Sequence, residues 1–81
     1  MDVLYFAWVR ERIGLPRERV DSSAATVMDL VEELRGREER YAAAFADISA
    51  LRVAVDQELV DFDTSLNGAR EVAFFPPMTG G

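Results

Sequence analysis

The chain has 81 residues, so it makes one small domain at most, and 49% of them are hydrophobic, enough for one core. Its formal charge of −6 argues against nucleic acid and anionic membranes and favours a basic protein partner. It has no Cys and no His, and all nine basic residues are Arg, which excludes disulfides, thiolate zinc sites and the commonest acid–base and covalent catalysts.

The elements are predicted in chain order. Val3-Leu4-Tyr5-Phe6-Ala7-Trp8-Val9 is apolar throughout and predicts a central strand buried on both faces. Arg10 to Ile13 turns polar, and Gly14-Leu15-Pro16 punctuates the chain. Arg17 to Asp21 reads as a short strand with Val20 as its core residue. A helix follows. Thr26 is its N-cap, Asp29 takes the third position of a capping box, and Val27, Leu30, Val31 and Leu34 form one apolar stripe. Gly36 stops that helix, and Glu38 to Ala46 predicts a second, anchored by Tyr41 and Phe45.

Strand signals return at Leu51, Val53 and Val55, and Asp56-Gln57 turns the chain into Glu58-Leu59-Val60. Asn67-Gly68 marks another turn before the last strand, Glu71-Val72-Ala73-Phe74-Phe75, which Pro76-Pro77 ends. This order predicts a two-layer α+β domain with helices on one face of a mixed sheet. The domain spans residues 1–75, and residues 76–81 form a tail.

The tail is the candidate functional site. Two prolines give an extended start, Met78 and Thr79 follow, and Gly80-Gly81 makes a thin end. Six extended residues reach about 20 Å, enough to thread a channel too narrow for side chains. A terminal carboxylate is a poor electrophile until a partner converts it to an acyl-adenylate, from which sulfur can displace AMP. That chemistry needs no His, Cys or Lys on the carrier. Phe6, Phe74 and Phe75 lie among apolar neighbours, and at least two are expected in the core. If Phe74 is buried, alternation turns Phe75 outward, where with Phe6 and Leu59 it offers an apolar docking patch.

The stretch Glu71-Val72-Ala73-Phe74-Phe75-Pro76-Pro77-Met78-Thr79-Gly80-Gly81 resembles the C-terminal signature of molybdopterin synthase small subunits. Leu4-Tyr5-Phe6-Ala7 with Arg10-Glu11, Ala25-Thr26-Val27 and Val53-Ala54-Val55 extend the resemblance along the chain. Asp56 stands where that family usually has Asn, Ala69-Arg70 replaces a Gly-Asp or Asp-Gly pair, and Met78 replaces Val. The resemblance implies a β-grasp, ubiquitin-like fold and a sulfur carrier that is not catalytic alone. It implies activation by an ATP-dependent adenylating enzyme, formation of a thiocarboxylate on Gly81, and sulfur transfer to a cyclic pyranopterin precursor. It also implies docking on a large synthase subunit in a heterotetramer. The partner-binding residues expected are Phe6, Leu59, Phe75, Pro76, Pro77, Met78 and Thr79, with Gly80 giving the tail access.

The carrier itself is expected to hold no cofactor and no metal. No apolar run approaches the roughly 20 residues of a membrane span, and Met1-Asp2-Val3 lacks a signal-peptide start; a cytoplasmic protein is expected. A thiamine-type sulfur carrier and a ubiquitin-like protein modifier remain alternative readings of the same tail.

Overall fold

The computed structural model describes residues 1–77. Strand β1 (Asp2–Tyr5) leads into helix α1 (Ala7–Ile13) and strand β2 (Arg17–Arg19). Helices α2 (Val27–Arg35) and α3 (Glu39–Ala44) follow, then a 3-10 turn, Ile48–Ala50. Strands β3 (Arg52–Val55), β4 (Glu58–Val60) and β5 (Glu71–Phe75) complete the chain's order. The sheet order is β2-β1-β5-β3-β4. The first and last strands pair in parallel at its centre, and the other pairs are antiparallel.

Strand alternation sorts this sheet into two faces. Val3, Tyr5, Val53, Val72 and Phe74 are buried and pack with the helix residues Val9, Ile13, Leu30, Leu34 and Tyr41 and with Phe45, the C-cap of α3. Phe74 sits at the middle of that core, stacked at 6.4 Å on Tyr5 and edge-on at 4.9 Å to Phe45. The opposite face, bearing Leu4, Arg52, Ala54, Phe75 and the buried Ala73, has none of the described helices packed on it. The expectation of two core phenylalanines among Phe6, Phe74 and Phe75 is therefore corrected. Only Phe74 is fully buried; Phe75 is half-buried and Phe6 is 45% exposed.

The predicted strand over Val3–Val9 is also corrected. It ends at Tyr5, and the second half of the apolar run opens α1. Val9 and Ile13, four residues apart, are the buried face of this helix, while Arg10, Glu11 and Arg12 are exposed. Ala7 makes the junction with φ +53°, a left-handed conformation costing about 1 kcal/mol for a residue with a Cβ. Gly14 closes the helix at φ +87°, its N–H donating to Arg10 O at 2.7 Å. Arg40 Nη1 donates to Ile13 O at 2.7 Å, satisfying one of the carbonyls that a helix end leaves free.

Helix α2 forms as its sequence dictates. Thr26 Oγ1 accepts from Asp29 N–H at 3.2 Å, and Val27, Leu30, Val31 and Leu34 are wholly buried. Each such side chain contributes about 1.5–3 kcal/mol relative to exposure. The next two free N–H groups, of Val27 and Met28, donate to Thr64 O (3.0 Å) and Phe62 O (2.8 Å) in the loop before β5. Gly36 follows at φ −79°, ordinary right-handed backbone, so its stop does not use glycine's left-handed freedom. Arg35 reaches across to donate to Phe45 O at the end of α3.

Candidate functional site

Strand β5 serves both layers at once. Phe74 anchors it in the core; Phe75, the next residue, turns to the helix-free face opposite Arg52. Pro76 and Pro77 continue from it, both half-buried. Met78, Thr79, Gly80 and Gly81, the other tail residues singled out in the sequence, lie outside the described residues.

The structure places Phe6, Leu59 and Phe75 on one face but does not make them one contiguous cluster. Phe6 N–H donates to Phe74 O at 3.1 Å, which sets Phe6 beside Phe75 at the ends of neighbouring strands. Leu59 is 67% exposed on the edge strand β4. Two strand spacings, about 10 Å, separate it from β5. The space between is filled by a row of small apolar residues that the sequence reading passed over. Leu4 pairs with Ala73, Ala73 with Ala54, and Ala54 with Leu59. The result is a low apolar band, from Leu4 to Leu59, with aromatic rings at the end where the tail leaves.

Charge frames this band unevenly. Arg17 and Arg19 on β2 both reach Asp2, at 3.1 and 3.7 Å. Arg52, beside Phe75, donates from Nη1 to Leu51 O at 2.8 Å. Glu58 and Asp61 mark the far edge, at β4. Next to that edge, Asp56 sits at φ +50° in the β3–β4 turn. Its Oδ1 accepts from Arg70 N–H at 3.0 Å and Glu71 N–H at 3.1 Å. Its own N–H donates to Glu71 O at 2.9 Å. Asp56, one of the departures from the resembled family, thus secures the start of β5, and Arg70 takes part through its backbone.

A second cluster lies on the opposite side and was not anticipated. Tyr5 and Tyr41 hydroxyls each donate to Glu18 Oε2 at 2.7 Å, and Arg37 approaches Oε1 at 3.8 Å. Burial first, then the bond to Glu18, pushes both tyrosine pKa values up. Its sequence signal is the alternation Arg17-Glu18-Arg19, which turns Glu18 to the same face as Val3. Among the described residues no group of three His, Cys, Asp or Glu could hold a metal. No described helix is long and apolar enough to cross a membrane. The site as described offers an apolar band and a tail root.

A mixed five-stranded sheet with parallel first and last strands at its centre, helices on one face and a tail leaving the central strand defines a ubiquitin-like β-grasp domain. Comparison with known structures agrees. The crystal structure of SAMP1 from Haloferax volcanii matches with a TM-score of 0.78 at 26% identity, covering 100% of this chain and 98% of that one. A protein described as molybdopterin converting factor, subunit 1, from Pyrococcus furiosus matches at 0.71 and 26% identity, covering 95% of each. The ThiS family profile matches residues 3–81. The molybdopterin synthase sulfur carrier subunit of Escherichia coli is 44% identical over 98% of this chain and 96% of its own length. That of Haemophilus influenzae is 35% identical over 100% of this chain and 99% of its own. The chain belongs to the ThiS family.

Proposed function

We propose that this chain is the sulfur carrier subunit of a molybdopterin synthase, with the carboxylate of Gly81 as its working group. The observation that carries the reading is the division of labour along β5. Phe74 locks the strand into the core, Phe75 joins the open apolar band, and Pro76-Pro77 stands in the sequence just before the segment that ends in Gly80-Gly81. The near full-length likeness to sulfur carrier subunits supports it.

In this reading an adenylating enzyme binds the band and feeds Gly81 to ATP. A carboxylate oxygen attacks the α-phosphorus and pyrophosphate leaves. A sulfur nucleophile then adds to the acyl carbon, and the C–O bond to AMP breaks, leaving a thiocarboxylate. The large synthase subunit takes the same tail through a passage that glycine alone can follow. The thiocarboxylate sulfur forms a C–S bond to a cyclic pyranopterin precursor. Water then attacks the Gly81 acyl carbon, and the acyl C–S bond breaks so that sulfur stays on the precursor and Gly81 is a carboxylate again. Two carriers on a dimer of large subunits complete a heterotetramer. The carrier holds no cofactor; ATP belongs to the activating partner, and a cytoplasmic setting supplies it.

The test is intact mass. After incubation with the adenylating enzyme of a relative, ATP and a sulfide source, the chain should gain the mass of one oxygen-to-sulfur exchange, mapped to Gly81. An unchanged mass, or an exchange mapped elsewhere, overturns the assignment.

A further inference from the structure

An activated Gly81 is an acyl donor, and any free amine, thiol or imidazole near it is a competing acceptor. The nucleophiles that this chain lacks therefore carry information. It has no lysine, no cysteine and no histidine; its nine cationic side chains are all guanidinium groups, which stay protonated and do not attack carbonyls.

Several of the remaining candidates are tied down by the fold. The two tyrosines are the chain's only phenols. Both hydroxyls donate to the one carboxylate of Glu18, and Tyr5 is buried beneath the helices. Burial and that carboxylate also hold both in the neutral, poorly nucleophilic form. Ser22 Oγ donates to Glu33, and Ser49 Oγ to Asp47, with no imidazole to activate either. The amino group of Met1 donates to Val20 O at 3.0 Å, and its side chain packs against the core.

We propose that the chain is an acyl donor stripped of side-chain amine, thiol and imidazole acceptors, with the Met1 amine held against Val20 O, so that activated copies are not joined to one another through their side chains. The idea rests on the reading of Gly81 as an activated acyl group, and deepens it. The reaction avoided is plain aminolysis. An amine lone pair on one copy would form a C–N bond to the Gly81 carbonyl carbon of another, the bond to AMP or sulfur would break with the leaving group taking the electron pair, and the amine proton would pass to solvent. With that route closed, the acyl group persists for an external sulfur nucleophile. Should the chain ever be transferred to an amine of another protein, the conjugate could not be extended through a lysine of the carrier.

The test installs the donor chemically, so it does not depend on any activating partner. The full chain carrying a mercaptoethanesulfonate thioester on Gly81 is incubated at high concentration near pH 9, where about 4% of lysine side chains are free amines and arginine remains charged. Wild type is compared with Arg12→Lys and Arg19→Lys, conservative changes at exposed positions away from the tail root. Intact mass and peptide mapping follow amide-linked dimers. Each lysine variant should form dimers at least about tenfold faster than wild type, joined at the introduced lysine, while in wild type, with its Met1 amine held against Val20 O, hydrolysis of the thioester outruns coupling. A smaller difference overturns the proposal, whether because wild type couples through Met1 or because the lysines fail to react. Failure here leaves the sulfur-exchange test of Gly81 untouched, and the reverse also holds.

Discussion

At the scale of single residues, two neighbours on β5 have opposite duties. Phe74 is wholly buried between Tyr5 and Phe45, so Phe74→Ala should cost about 3–5 kcal/mol of folding stability in urea titrations. Phe75 lies half-buried on the open band. Phe75→Ala should spare most of the stability yet weaken binding to a large synthase subunit by about 2 kcal/mol or more, roughly thirtyfold, in calorimetric titration. If Phe75→Ala unfolds the domain and Phe74→Ala does not, the facing of β5 is inverted. The tyrosines make a second residue-scale prediction. Both tyrosine pKa values are raised, so the folded chain keeps phenol protons that the unfolded chain releases above the ordinary value near 10. Their stabilising contribution is thus fully present below pH 10 and is lost as pH rises beyond it, by up to about 1.4 kcal/mol per pH unit for each proton fully retained. With no lysine or cysteine in the chain, that alkaline range reports on tyrosine with little else titrating. Urea midpoints measured across it should decline, and Tyr5→Phe should flatten the decline; an unchanged slope in that variant would show that Tyr5 does not hold its proton.

At the scale of elements, what could be read from the sequence divides according to how local the signal is. Helix α2 was fully legible, because its cap and its stripe of Val27, Leu30, Val31 and Leu34 are written within nine residues or one position before them. Thr26→Ala should accordingly cost about 1 kcal/mol in urea unfolding, with the fold retained; no change would mean that the Thr64 and Phe62 carbonyls already satisfy this helix end by themselves. The strand pair β3–β4 and the last strand were legible from alternation and from Pro76-Pro77. The β1–α1 junction was not. Seven apolar residues in a row carry no period, so Phe6 to Val9 fit a strand as well as a helix. What decides is tertiary: Val9 and Ile13 meet the core, Arg40 caps Ile13 O, and Ala7 accepts a left-handed backbone. For the candidate site the same division holds. Gly80-Gly81, Phe6, Leu59 and Phe75 stood out by residue type and family likeness. Leu4, Ala54 and Ala73 did not, because small apolar residues become a surface only when strands that are far apart in sequence lie side by side.

At the scale of the whole molecule, the sheet order makes the fold wait for its last strand. Strand β5 lies between β1 and β3, so the N-terminal strand and the β3–β4 pair meet only through it. It carries Val72 and Phe74 into the core, and Asp56 clamps its entry through the N–H groups of Arg70 and Glu71. A chain cut before Glu71 therefore leaves two strand pairs with no shared edge and a core without its central ring. The described core ends at Phe74. A chain cut after Pro77 keeps every one of those contacts and loses only Met78 to Gly81. The shorter chain should show no cooperative urea transition and poorly dispersed amide resonances. The longer one should unfold within about 0.5 kcal/mol of the full chain, the range expected for changes away from core and caps, while taking up no sulfur. A marked loss of stability on removing residues 78–81 would show that the tail is part of the folded unit, and the separation between a rigid carrier body and its working end would fail.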